Sequence, residues 1–129
     1  MVPLKRVLLV MHRRMLAQSL LQWMQGDKNY TFLAEGSYED APLSAAVNKI
    51  DIAVIEVRES GENPAMEALL TANGIKKRCA NSKVLILCPE SSEKSKAAVV
   101  LAKQKNLIDD FVFYDASLEY LMKKIEAIS

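Results

Sequence analysis

The chain has 129 residues, of which 50% are apolar and 26% charged, with 17 basic against 16 acidic side chains. This length and balance are typical of one folded domain and exclude a disordered chain or a strongly cationic nucleic-acid binder. No apolar run approaches the roughly 20 residues needed to cross a bilayer, and the apolar stretch near the N-terminus is too short for a signal peptide. We therefore expect one cytoplasmic domain over residues 1–129, with no membrane partner.

Short apolar runs alternate with segments of helical periodicity along the whole chain. The runs have strand length and β-branched or aromatic content, and their continuous apolarity predicts burial on both faces of a parallel sheet. In chain order the predicted strands are Lys5–Val10, Tyr30–Ala34 (the weakest), Ile50–Ile55, Lys83–Cys88 and Asp110–Phe113.

A helix is predicted after each strand. Gly26 can end the first helix, Asp40 caps the second over Asp40–Asn48, and Pro64 opens the third, which Gly74 is expected to fray or kink. Ser92–Lys105 forms the fourth helix and Ser117 caps the fifth. The residues predicted to face inward are Leu16, Leu20, Trp23 and Met24 in the first helix, Met66, Leu69, Leu70 and Ile75 in the third, and Leu121, Met122, Ile125 and Ile128 in the fifth.

Five β-α units with right-handed crossovers predict a doubly wound α/β domain. The fold is a flavodoxin-like (βα)5 three-layer sandwich around a five-stranded parallel sheet. Ligands and chemistry lie at the carboxyl edge of such a sheet. The polar or reactive residues expected at that edge are Met11, His12, Arg13, Glu56, Cys88, Tyr114 and Asp115.

The chain resembles, over essentially its full length, the receiver domain of bacterial two-component response regulators. The stretch VLLVMHRRMLAQSLLQWM is similar to the family's first strand, acidic turn and first helix, and DIAVIEV looks like the third strand that ends in the phosphorylated aspartate. KVLILC and DDFVFYDASLEYLMKKI resemble the last two strands and the last helix. The local sequence pattern is most similar to that of receivers that precede helix-turn-helix output domains. This resemblance implies a role in signal transduction and transcription regulation through a phosphorelay.

The residues that carry the family's phosphorylation chemistry are all different here. Met11 and His12 occupy the acidic pair that holds Mg²⁺, Glu56 the acceptor aspartate, Cys88 the hydroxyl and Tyr114 the lysine. A thioether and an imidazole are poor ligands for Mg²⁺, and glutamate places its carboxylate about 1.5 Å further out. We therefore predict a pseudo-receiver that needs no metal or cofactor, is not an enzyme, and acts by protein contact.

Two interpretations of Glu56 remain open. Its carboxylate either imitates a phosphorylated aspartate and fixes an active-like surface, or is a relic whose charge is solvated or paired. His12 is the nearest candidate partner by topology, with Arg13 or Arg14 behind it, and we hypothesise an ion pair between His12 and Glu56. The alternative is an imidazole that faces solvent.

Cys88 and Phe111 match the pair of residues that switches in the family. A thiol is a weak hydrogen-bond donor and phenylalanine has no hydroxyl to hold it at the surface. We expect Phe111 to stay buried and one conformation to dominate. The only cysteines are Cys79 and Cys88, without the spacing of a zinc site or a disulfide framework, and a redox role for Cys88 is a second interpretation.

The family's output face is formed by the fourth helix, fifth strand and fifth helix. Complementary charge on this face could join two copies about a two-fold axis, although an ordinary mixed-charge surface would look the same. The residues concerned are Lys94, Lys96 and Lys103 on the helix, and Asp109, Asp110, Asp115 and Glu119 after it.

The expected partner is another protein or a second copy, with no direct contact to nucleic acid. Two other functions stay open: a receiver-like domain switched by a ligand other than phosphate, and a small-molecule-binding enzyme of the flavodoxin-like class. Against the enzyme, the loop VMHRRML has no glycines to hold a phosphate group.

Overall fold

Strands and helices alternate along the chain, as the apolar runs predict. The structure is a computed structural model that describes residues 4–114 and 116–129. The strands are β1 (Lys5–Val10), β2 (Tyr30–Glu35), β3 (Ile52–Glu56), β4 (Lys83–Cys88) and β5 (Asp110–Phe113). The helices are α1 (Arg14–Trp23), α2 (Ala41–Asn48), α3 (Pro64–Arg78), α4 (Glu93–Gln104) and α5 (Leu118–Ile128).

All five strands are parallel and lie in one sheet in the order β2-β1-β3-β4-β5. Buried side chains pack on both faces of this sheet, against α2, α3 and α4 on one side and against α1 and α5 on the other. The predicted flavodoxin-like (βα)5 sandwich is therefore confirmed. β3 lies in the middle and is buried throughout, because neighbouring strands cover its edges and helices cover its faces.

Three strand boundaries differ from the prediction. β3 begins at Ile52 because Ile50 and Asp51 terminate the preceding turn: the Ile50 amide donates to Ala45 O over 3.1 Å, and the Asp51 carboxylate accepts from the Arg6 amide over 2.9 Å. β3 also runs on to include Glu56, and β2 extends to Glu35.

The predicted inner faces of α1 and α3 are partly wrong. Trp23 is about half exposed at the end of α1, whereas Leu20 and Met24 are buried as predicted. In α3, Ile75 is buried and Leu69 partly buried, but Met66 and Leu70 point to solvent. The reason is that α3 buries a face of small residues instead, formed by Ala65, Ala68, Thr71 and Ala72.

Gly74 neither frays nor kinks α3, which is continuous through it. A Cβ placed on Gly74 would lie 2.8 Å from Cγ and 3.3 Å from Cβ of Pro42 in α2. This glycine therefore sets how closely α2 and α3 approach each other.

Replacing Gly74 with alanine is expected to destabilise the domain. In an exposed helix the change would gain about 1 kcal/mol, but the rigid proline ring cannot yield, and overpacking of this kind costs about 1–3 kcal/mol. Chemical denaturation should show a lower unfolding midpoint for Gly74→Ala and an equal or higher one for the exposed neighbour Asn73→Ala. A stabilised Gly74→Ala variant would contradict the close approach.

Candidate functional site

Glu56 ends the central strand β3 at the carboxyl edge of the sheet. Its register partner on β4 is Leu87, and its side chain is 0% exposed. A fully buried carboxylate must be paired or hydrogen-bonded to remain in the fold. The hydrogen-bond and salt-bridge partners of the Glu56 carboxylate therefore determine what chemistry is possible at this edge.

The loop between β1 and α1 supplies those partners. Oε1 of Glu56 accepts hydrogen bonds from the backbone amides of His12 over 3.2 Å and Arg13 over 3.3 Å. Oε2 accepts from Nε of the Arg13 guanidinium in a salt bridge. One charged side chain and two backbone groups thus surround both oxygens.

His12 lies where the sequence predicted it, beside Glu56. Its Nδ1 is 2.8 Å from Oε1 but is not aligned for a hydrogen bond. The guanidinium of Arg13, which the sequence placed behind His12, is the charged group that is both close and directed at the carboxylate. The contact between His12 and Glu56 is present, but Arg13 is the principal partner.

Two tyrosines close the end of β3. The hydroxyl of Tyr38 donates to the carbonyl oxygen of Glu56, and the hydroxyl of Tyr114 donates to that of Val57. Burial, followed by the nearby charge of Glu56, raises the pKa of both phenols above the ordinary value for tyrosine. Both hydroxyls are therefore protonated donors at neutral pH.

An arginine guanidinium lies over the ring of each tyrosine. The Cζ of Arg13 lies 4.1 Å from the centre of the Tyr114 ring, and the Cζ of Arg58 lies 4.8 Å from that of Tyr38. Such cation–π contacts are favourable, and Nε of Arg58 also donates to Glu67 over 2.9 Å. Tyr38 comes from the loop before α2 and has no sequence signal that would have predicted it in this cluster.

Cys88 and Phe111, the predicted switch pair, differ in how deeply they are buried. Cys88 is fully buried, and its thiol donates to Pro89 O over 3.6 Å. Phe111 is only partly buried, which corrects the expectation that it stays inside. Its ring packs edge-on against Phe113 with centres 5.7 Å apart, and Nζ of Lys103 lies 5.7 Å from its centre.

Cys88 is expected to be chemically inert in the folded domain. Burial raises the pKa of its thiol to about 11, and Lys96 offsets this only in part, so little of the reactive thiolate exists at neutral pH. In a Cys79→Ser variant, a thiol reagent at pH 8 should modify Cys88 only after denaturation. Rapid labelling of the native variant would instead support the redox interpretation.

The residues at this edge do not fit the Mg²⁺ that the receiver resemblance implies. Mg²⁺ requires hard oxygen ligands, yet Met11 is a buried thioether in the core and both oxygens of Glu56 are already bonded. Across the described chain, no three His, Cys, Asp or Glu side chains form a group that could hold a metal ion.

The charges predicted to join two copies at the output face are mostly paired within the chain. Lys96 pairs with Glu93 at 3.0 Å, and Asp110 pairs with both Lys103 and Lys124 at 2.9 Å. Burial alone would raise the pKa of Asp110, but the two lysines outweigh it and lower that pKa.

The remaining charges of this face are not arranged as expected either. Asp109 forms its ion pair outside the output face, with Lys76 of α3 at 2.9 Å. Lys94 and Glu119 are exposed without an ion pair to any described residue, and Asp115 lies outside the described residues. The face therefore does not separate a basic helix from an acidic edge, and a dimer through it stays a prediction.

Solved structures share this architecture over almost the whole chain. The signal receiver domain of a putative Luxo repressor protein from Vibrio parahaemolyticus is 18% identical, with a TM-score of 0.76 over 97% of this chain and 89% of that one. The chemotaxis protein CheY4 of Vibrio cholerae is 16% identical, with a TM-score of 0.77 over 98% and 100%. The chain has the receiver-domain fold.

A DNA-binding response regulator of the LuxR family from Staphylococcus aureus gives the same result for this receiver fold, at 20% identity and a TM-score of 0.76 over 97% of this chain and 98% of that one. No family model and no curated protein matches the sequence. Among the helices of residues 4–114 and 116–129, none is long and apolar enough to span a membrane.

Proposed function

We propose that this receiver-fold domain works in bacterial signal transduction as a pseudo-receiver, acting by protein contact and without accepting phosphate on Glu56. It is not itself an enzyme in this proposal. The observation that supports it is the state of the Glu56 carboxylate, which is fully buried and has both oxygens bonded to the β1–α1 loop.

A carboxylate that accepts a phosphoryl group needs a free lone pair directed at the donor, with the reacting atoms about 3 Å apart and aligned. Oε1 of Glu56 accepts two backbone hydrogen bonds, and Oε2 is held by the Arg13 guanidinium. An attack would first have to break the Arg13 salt bridge in a buried site, where loss of one partner is costly. Three of the four lone pairs of the carboxylate are thus engaged, and the burial of Glu56 keeps a phosphoryl donor away from the fourth.

The same contacts favour a paired relic over an imitation of phosphate. A phosphorylated aspartate has three outer oxygens and close to two negative charges, whereas both oxygens of Glu56 are used by His12 and Arg13. No described residue of β4 bonds to its carboxylate, and the Cys88 thiol donates to Pro89 instead. Glu56 thus acts as a structural centre that holds β3 and the β1–α1 loop together.

The experiment is a two-dimensional amide NMR spectrum recorded alone, with Mg²⁺, and with Mg²⁺ plus beryllofluoride, which mimics an acyl phosphate. The amides of His12 and Arg13 report directly because they donate to Glu56. We expect no change at these amides or along β5. A set of shifts that begins there and spreads through β5 and α5 would show that Glu56 still works as an acceptor site.

A triple variant serves as the positive control for the expected absence of shifts in the wild type. Met11→Asp/His12→Asp/Glu56→Asp replaces the thioether, the imidazole and the long side chain with three aspartates, which are hard oxygen donors suited to Mg²⁺. Shifts of the triple variant with Mg²⁺, beside a silent wild type, would assign the loss to these side chains. A wild type that responds as strongly as the triple variant would contradict the proposal.

A further inference from the structure

We propose that a second copy of this chain docks on the outer surface of α2 and α3. This outer α2–α3 surface consists of Leu43 and Val47 on α2 and Leu70 on α3. The proposal concerns a surface away from Glu56 and does not depend on whether that residue accepts phosphate.

In α2 and α3 most small apolar residues lie on the buried side and most large ones on the solvent side. The side chains that they bury are mainly alanines: Ala41 and Ala45 in α2, and Ala65, Ala68 and Ala72 in α3. Apart from Ile75 and the partly buried Leu69, the large apolar side chains point outward, with Leu43 57%, Val47 71%, Met66 49% and Leu70 62% exposed. Small buried residues let the helices lie close to the sheet, but they do not account for large apolar residues on the opposite side.

The exposed residues lie on adjacent helices. Leu43 and Val47 are four residues apart, so both lie on one face of α2. Pro42 of α2 meets Gly74 of α3, and the Thr71 hydroxyl of α3 lies 3.4 Å from Tyr38 O just before α2. The start of α2 thus lies beside the second half of α3, next to Leu70, whereas Met66 lines the groove towards Ser95 and Ala98 of α4. Leu43, Val47 and Leu70 therefore form one apolar surface, which on a folded domain marks an interaction site.

Charged residues stand at opposite ends of this surface. Glu39 and Asp40 precede α2, and Lys49, Lys77 and Arg78 lie at or next to the C-terminal ends of the two helices. All five are exposed, and none forms an ion pair with another residue in the described part of the chain.

A second copy is the occupant that this charge pattern fits. In a two-fold dimer the same patch of both subunits meets, and an axis perpendicular to the helices would make them antiparallel. The acidic end of one copy then meets the basic end of the other, twice per dimer, with the apolar residues in the centre. This arrangement matches the apolar core and polar rim of known interfaces.

The first test is sedimentation velocity of the whole chain from micromolar to millimolar concentration. Wild type is expected to dimerise. Leu70→Glu should remain monomeric, because it buries a charge at the centre of the interface, whereas Leu101→Glu, a leucine of similar exposure on α4, should dimerise like wild type. A wild type that is monomeric at every concentration, or a dimer lost in Leu101→Glu but kept in Leu70→Glu, would overturn the proposal.

The second test reverses charge at one end of each copy. Glu39→Lys/Asp40→Lys makes both ends of the surface basic, and Lys49→Glu/Lys77→Glu/Arg78→Glu makes them acidic, so each variant alone should be monomeric. An equimolar mixture should form a heterodimer, because every contact then joins opposite charges. Recovery in the mixture also shows that both variants are folded. No heterodimer in the mixture, or a homodimer in either variant that is as stable as wild type, would overturn the two-fold arrangement.

Discussion

Replacing Arg13 with methionine is expected to lower the free energy of unfolding by about 2–4 kcal/mol. The substitution keeps an apolar chain beside Tyr114 but leaves Glu56 buried without its guanidinium. Arg13 is itself partly exposed, and two backbone amides still donate to Glu56, so the cost lies towards the low end for a broken buried pair. Urea denaturation at neutral pH measures it.

A double-mutant cycle separates the pair from other effects of the Arg13 change. Glu56→Gln removes the charge but keeps an oxygen that accepts from the amides of His12 and Arg13. In that background Arg13→Met should cost much less. The neighbouring Arg14→Met, at an exposed position of α1, serves as the control and should be close to neutral. An Arg13→Met cost that is the same in the wild-type background and in the Glu56→Gln background would mean that the salt bridge does not hold this edge.

The second large effect is expected at Tyr38. Its side chain is almost fully buried in the core, with its hydroxyl bonded to Glu56 O. Tyr38→Ala should therefore cost about 3–5 kcal/mol, as for other buried aromatic residues, and Tyr38→Phe about 1–2 kcal/mol, because a buried carbonyl loses its donor.

Tyr120 offers the matched comparison for Tyr38, since it is half exposed on α5. Tyr120→Phe should change the unfolding free energy by less than about 0.5 kcal/mol. Thermal or urea unfolding of these variants would be compared with wild type. If Tyr38→Phe were as stable as wild type, the hydroxyl would contribute nothing to the closed end of β3.

The fold could be predicted from the sequence because the central strands are continuously apolar. β1, β4 and β5 begin and end where the apolar runs do, and the carboxyl edge followed from their parallel order. The orientation of α3 could not be predicted from periodicity alone. Met66 and Leu70 share a helical stripe as inward residues would, but the face that α3 buries consists of three alanines with Thr71 and Ile75.

The candidate site was predicted in part. Glu56, His12 and Tyr114 are brought together at the edge, since each ends a strand or follows one within two residues. The choice of Arg13 over His12 as the main partner depends on the direction of side chains in the β1–α1 loop, which sequence spacing does not determine. Tyr38 comes from a loop on another β-α unit, and only the packed structure places its hydroxyl on Glu56 O.

The salt bridge between Arg13 and Glu56 has both partners on one chain, and this limits how a cell could regulate the domain. If the domain works as proposed, Glu56 offers no acceptor to a phosphoryl donor and nothing for a phosphatase to remove, and diluting the protein would not separate the two charges. A pathway that used this domain as proposed could vary how many copies are present, through synthesis and degradation. The signal would then be the concentration of the protein. That concentration changes on the timescale of protein turnover and not on the timescale of acyl-phosphate hydrolysis.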